Sequence, residues 1–498
     1  MRWLNLVHVA DHLVSPNVSS RLPSVFKRIV HSGRRRHVNV IEYHIILPAY
    51  DDDARIKFEH GDDRRSNDEA FTAAIHSLFH ILKIWDPRTD GHITLRLKDV
   101  YSSSDHGFLR RSSPSFEPEC SLHLEFDSTE TFKLNLWSWR WQYSYIRLLR
   151  PSELPVVEVV VSFVVSDLTR HIADRVPIDI AAKLQNLHNA DWKMNDWEIR
   201  YITLRRQHRR DLAQAFTDVL PQASSLQSLV VSMESMWNWT PRFSFGTHSP
   251  GEFIVDPLSN AIRAITGALP ALRNLTILGT MDDSMSYPRP SPALVEPYWQ
   301  SLECLTVHFE TGRPSGGQYF WDPSRISDQG RDDDLTMISE TDPPPGYGRG
   351  EAEGGESGKH FFLSREREFV TAIEKVLPDE DALTPLFESF GRACSQIPSL
   401  RRAQLSTVIP GPLEALEVGL PENRSPWGVW YLSPGAEPCA KTLERRPVFS
   451  GDVHHRRLFW DLQGWLPGSK LQNLMRDVGR QRYGNYLVER FINLGVSV

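Results

Sequence analysis

The sequence predicts an α/β protein: an irregular leucine-rich-repeat-like solenoid of parallel strands with outer helices, carrying a long disordered insertion. Three observations point there. Several segments run in one order, amphipathic helix, short turn, strand. Their strands share an L-x-x-L-x-[LIV] spacing, in which the first residue enters from the turn and the next two alternate inward. The segment 311–360, by contrast, is rich in glycine, proline and acidic residues, with almost nothing apolar over 341–360.

Along the chain, 38–47 is the first strand. Asn67 or Asp68 then suits the cap of a helix whose apolar face is Phe71, Ile75, Leu78, Phe79 and Leu82. The turn DPRTDG leads to the strand HITLRL, and PVVEVVVSFVV (155–165) is a buried strand, too short to cross a bilayer. Leu212, Phe216 and Val219 mark a helix that Pro221 ends, before the strand SLQSLVVSM. Asp256-Pro257 is the clearest helix start, an N-cap followed by a first-turn proline, with Leu258, Ile262, Ile265 and Leu269 at helical spacing. The helix 381–394 and strand 401–409 repeat the order.

The repeat positions are Leu226, Leu229 and Val231; Leu272, Leu275 and Ile277; Leu302, Leu305 and Val307; and Leu400, Ala403 and Leu405. No unit of this kind buries its apolar face alone, so neighbours must stack. Strands at 93–98, 156–165, 227–233, 273–278, 303–309 and 402–408 are expected to lie parallel. Their intervals are irregular, and the same residues also admit an ordinary α/β sheet with crossover helices. The expected organisation is a helical segment over 1–37, a repeat region over 38–310, the insertion 311–360 and a repeat continuation over 361–498. Residues 341–360 hold six glycines and three prolines, a composition that does not offset ordering entropy. The island YFWDP (319–323) is a candidate to dock.

The chain has 498 residues, 40% of them hydrophobic, and a net charge of -7, which argues against a general nucleic-acid binder. Four cysteines at 120, 304, 394 and 439 form no CxxC pair and point to a reducing cytoplasm or nucleus. No secretory or membrane segment is evident. Ser357-Gly358-Lys359 fails as a P-loop, because Glu353 stands where glycine is needed and His360 where a hydroxyl is needed. His454-His455 would point to opposite faces of a strand. No catalytic, cofactor-binding or metal-binding residue emerges, and the expectation is a non-enzymatic protein without a cofactor.

Two basic runs, Arg34–His37 and Arg205–Arg210, are expected on a solvated edge or loop. Tryptophan is abundant, at fifteen residues. The knot WSWRWQYSY (137–145) is expected to pack. Trp237 and Trp239 sit at a strand end, where solenoid loops emerge, and are candidates for a partner-binding surface.

The order of segments resembles that of a group of filamentous-fungal F-box proteins. The residues that carry it are Phe26, Ile29 and Arg34-Arg35, a strand over Val38–Leu47, the turn Leu47-Pro48-Ala49-Tyr50, then Leu78, Phe79, Leu82 and Trp85, the strand ITLRL and YSSSD (101–105). LPALRNLTIL with Trp299, and GWLPGSKLQNLMRDVGR (464–480), fit further on. The resemblance implies a ubiquitin-ligase substrate receptor, holding a protein target on its leucine-rich region and a Skp-type adaptor on its F-box. The opening LP-x-E-[IL] of an F-box is not in 1–25, so the F-box is expected to be truncated here and adaptor binding weak. The alternative is a free-standing leucine-rich-repeat-like scaffold with no ubiquitin role. Neither nucleic acid nor membrane is an expected partner.

Overall fold

A computed structural model describes residues 7–11, 32–105 (except 56), 140–195 (except 142 and 167), 202–234, 256–286, 299–321 (except 315–316), 347, 377–409, 425–438 and 453–492. The chain divides into two compact units, one of Met1–Leu204 with Ile338–Thr371, the other of Arg205–Met337 with Ala372–Val498. The chain passes from one unit to the other at 204/205, 337/338 and 371/372.

In the first unit, strands β1 (Val7–Asp11), β2 (Val40–Leu47), β3 (Ile93–Ser102), β4 (Val160–Val165) and β5 (Asn189–Asn195) lie side by side in chain order, every pair parallel. β1 falls in the stretch expected to be helical. Helix α1 (Gly61–Leu82) crosses from β2 to β3, and the short α2 (Val176–Ala181) from β4 to β5. Helix α1 packs on one face of these strands. On that face Ile75, Leu78 and Phe79 of α1 meet Tyr43, Leu95, Leu97 and Phe163 of the strands around one small apolar hollow. The Tyr43 hydroxyl donates to Ala74 O at 2.9 Å.

Asn67 and Asp68 are not the cap of α1. The helix starts nearly two turns earlier, with His60 as N-cap and a reciprocal bond to Asp63. Both side chains are instead buried within it: Asn67 donates to Glu59, and Asp68 receives the backbone and side chain of Arg147. Burial raises the Asp68 pKa, opposed by Arg147.

The second unit holds most of α3 (Ile202–Asp218), then β6 (Ser228–Glu234), α4 (Pro257–Ala268), β7 (Asn274–Gly279) and β8 (Cys304–Phe309). A two-residue pair follows, β9 (Phe320–Trp321) with β10 (Leu377–Pro378), and then α5 (Glu380–Gln396), β11 (Arg402–Ile409), β12 (Ser425–Leu432), β13 (Arg456–Asp461), α6 (Ser469–Asp477) and β14 (Leu487–Ile492). β6, β7, β8 and β11 are parallel neighbours in that order. β12 runs antiparallel to β11 and β13, and β14 is parallel to β13.

All twelve repeat positions are buried. The turns before β7, β8 and β11 share one backbone device. Gln227 O accepts from the N–H of both Arg273 and Asn274, Arg273 O from Glu303 and Cys304, and Glu303 O from Arg401 and Arg402. Asp256 caps α4 as its sequence predicts, accepting from Ser259 N at 2.9 Å. β7 and β8 alternate between half-buried and buried residues, whereas every residue of β13 is buried. Gly428 lets β12 close on β11, since a Cβ there would overlap Leu405 O.

The insertion begins inside the fold. Tyr319 and Phe320 are buried, and the Tyr319 hydroxyl donates to Met281 O at 2.8 Å. Residues 311–314 and 317–320 therefore belong to the second unit's packing, because this aromatic island offsets its own ordering. Residues 322–346 and 348–376 lie outside the described ones.

Candidate interaction face

The strand face opposite the described helices of the second unit carries an ordered array of mostly polar side chains. Register places them in three rows across β6, β7, β8 and β11. The rows are Ser228–Asn274–Cys304–Arg402, Val230–Thr276–Thr306–Gln404 and Ser232–Leu278–His308–Ser406. On β6 to β8 these residues are half-buried, while their neighbours on the opposite face are fully buried.

At β11 the face acquires an internal network. Gln404 Nε2 donates to Ser406 Oγ at 2.9 Å, and Ser406 Oγ lies 2.8 Å from His308 Nδ1. Burial pushes the His308 pKa down to about 4, so the ring facing Ser406 Oγ is neutral at pH 7. Arg402 Nε lies 3.1 Å from Cys304 Sγ, yet burial raises the thiol pKa, so Cys304 stays protonated. Beyond β11 the face closes. Trp430, Leu432, Phe459 and Ala436 form an apolar cluster, with Ile492 against it. Arg457 holds the covering loop by donating to Ser433 O and Ala436 O.

The first unit's corresponding rows are Val40–Thr94–Ser162–Asn189 and Glu42–Arg96–Val164–Asp191. They are more charged, with Arg96 and Glu42 paired at 3.3 Å.

Ligands of open α/β sheets usually sit outside the carboxyl ends of the strands. In both units the described residues fill that place with their own ion pairs. In the first, Arg170, just past β4, donates from Nε and Nη2 to both oxygens of Asp105 at 3.0 and 3.1 Å, and from Nη1 to Glu59. All three are buried. Desolvation works against the guanidinium charge, but Glu59 and Asp105 outweigh it and raise the Arg170 pKa. The Tyr50 hydroxyl donates to Asp105, Ser104 Oγ bridges the backbone of Tyr50, and Ser102 Oγ donates to Pro48 O at 2.8 Å. Arg140 and Trp141 cover the cluster, at 4.6 Å from the Tyr50 ring and 5.3 Å from Arg170 respectively. Leu47–Tyr50 and Tyr101–Asp105, two of the segments that carry the F-box-protein resemblance, are thus the two sides of this lock.

In the second unit the basic run at 205–210 is not a solvated edge. Arg205, Arg206 and Arg209 are buried on α3. Helical spacing sets Arg205 and Arg209 on one side, aimed past the end of β7. Arg209 Nη2 reaches Asp256 at 3.1 Å and Thr280 O at 3.0 Å, while Arg205 reaches Thr280 Oγ1 at 3.4 Å. Thr280 Oγ1 donates to Glu310 at 2.7 Å. Asp282 accepts from Ser284, and its pKa is raised by burial first and by Asp256 next. In the other basic run, Arg35 docks on Trp85 and Asp90, while Arg34 and Arg36 are exposed.

Trp237 and Trp239 lie outside the described residues, as does the Ser357–Lys359 motif. Trp141, Tyr143 and Tyr145 of the other aromatic knot pack in the core. The His455 ring meets that of Tyr486 in a tilted contact, with centroids 4.2 Å apart. Among the described residues no group of three or more His, Cys, Asp or Glu is placed to hold a metal ion, and no helix is long and apolar enough to cross a membrane.

No family model matches the chain, and no curated protein or solved structure matches it either.

Proposed function

We propose that the chain is a non-enzymatic protein-interaction module, an F-box-like substrate receptor of the ubiquitin-ligase type, whose irregular leucine-rich-repeat-like solenoid presents a protein target along its helix-free strand face. The observation that carries this reading is the register of Asn274, Thr276, Cys304 and Thr306 with their row neighbours, half-buried on the face opposite the described crossover helices. Neutral hydrogen-bonding groups on rigid strands fix a partner's orientation at small entropy cost. The internal ion pairs at the strand ends fit the same reading, because they occupy the crevice a small substrate would use. The ubiquitin link rests on the F-box-protein resemblance.

A second reading is favoured by one observation. Residues 7–11 form the parallel strand β1 on β2, which removes them from any helical F-box tail. On that reading the chain is a free-standing scaffold. A photo-crosslinking residue at Thr306 is expected to capture the target, and one at the exposed Gln207 of α3 is not; the reverse would overturn the strand-face assignment. With no F-box opening in residues 1–25, a Skp-type adaptor is expected to co-purify weakly or not at all, and stoichiometric recovery would overturn that expectation.

A further inference from the structure

Tyr347 belongs to the first unit and meets it 283 residues from Arg64 in sequence. The Arg64 guanidinium lies over its ring at 3.8 Å from the centroid, and its hydroxyl donates to Tyr143 O at 2.9 Å. The cradle is pre-set. Arg64, in the first turn of α1, donates from Nη1 to Glu59 O at 2.7 Å, and Glu59 N–H donates to Arg140 O at 2.8 Å. Tyr143 is held through its own ring, 5.7 Å from that of Phe58. The tyrosine therefore finds a cation for its face and a carbonyl for its hydroxyl, both fixed by groups other than itself.

Tyr347 reaches this cradle from the sequence Asp342-Pro-Pro-Pro-Gly-Tyr-Gly-Arg-Gly-Glu351. A proline run is pre-set in an extended conformation and so loses little entropy on binding. We propose that the Arg64–Tyr143 cradle is a docking site for a tyrosine carried on a proline- and glycine-rich peptide, and that the chain's own Tyr347 occupies it in cis. This inference is independent of the strand-face reading.

A tethered ligand acts at roughly millimolar effective concentration, so for a peptide of about 100 μM intrinsic affinity, cis occupancy weakens binding in trans about tenfold. The test is a fluorescein-labelled peptide of residues 341–351, titrated with the full chain and followed by anisotropy. The Tyr347→Ala chain is expected to bind it about tenfold more tightly than the unaltered chain. Adding Arg64→Ala should abolish that gain. Because Arg64 also supports Glu59, a second arm leaves the protein intact: the same peptide with alanine in place of its tyrosine should not bind. The proposal is overturned if Tyr347→Ala gives no gain, or if the alanine peptide binds as well as the tyrosine peptide.

Discussion

Both units close the carboxyl ends of their parallel strands with buried arginines, but the two closures are built differently. Arg170 comes from the loop after β4 and satisfies two carboxylates from separate segments, Glu59 and Asp105, under an aromatic cover. Arg209 comes from a helix, and its carboxylate, Asp256, already has Ser259 N and Ser259 Oγ as the cap of α4. The first lock is one mutually dependent set. In the second, an arginine reinforces a helix cap that has other donors. The difference teaches that a buried ion pair matters to stability in proportion to what its partners lose without it.

Removing Arg170 should therefore have the largest effect. Arg170→Met leaves Glu59 and Asp105 buried without their shared cation, and a loss of about 3–5 kcal/mol in the first unit's unfolding free energy is expected, read from the urea midpoint. A loss below about 1 kcal/mol would show the pocket open to water.

Acid should come next, and it acts on the second unit. His308 has its folded pKa depressed to about 4, so its contribution to stability is full above the unfolded value and is lost as pH falls through about 6.5 towards 4. The loss approaches about 3 kcal/mol at its limit. Asp282 has the opposite sign: its raised pKa makes its contribution largest in acid and smallest once it ionises. Comparing the chain with His308→Gln from about pH 7 to pH 4 isolates the histidine, because Asp282 is common to both. The unaltered chain should lose more stability than the variant over that window. Parallel curves would mean that the ring protonates in place.

Arg209→Met should cost less, about 2 kcal/mol, because Asp256 keeps its cap hydrogen bonds and the favourable end of the α4 dipole. A cost equal to that of Arg170→Met would erase the distinction between the two locks.

How far these features are legible in sequence depends on whether local spacing encodes them. The start of α4 is legible, since Asp256 and Pro257 each favour one helix position, and so are the repeat positions, whose period of two is a property of the strand itself. Arg205 and Arg209 stand in helical register with Leu212 and Phe216, a signal that they share the buried side of α3, although seven polar residues in a row suggest a solvated edge. β13 is buried on both faces and so lacks the alternation that marks β7 and β8. The Arg170 set is invisible to spacing altogether: its carboxylates lie 65 and 111 residues away and are joined only by the fold. The Tyr347 contact is of the same kind, and the composition around it points to a loop.

Tyr50→Phe gives the finest contrast. It deletes one hydroxyl from the first lock and leaves Asp105 with both of its bonds to Arg170. Losing one donor to a carboxylate that remains paired should cost about 1 kcal/mol, well under the loss for Arg170→Met. Burial, and then the charge of Asp105, raise the Tyr50 pKa well above that of a free phenol, so the hydroxyl remains a donor at any pH where the protein is folded. The difference between Tyr50→Phe and the unaltered chain should therefore stay constant from about pH 6 to pH 9. A difference that shrinks towards alkaline pH would mean that the tyrosine ionises, and hence that Arg170 and Arg140 rather than Asp105 dominate its surroundings.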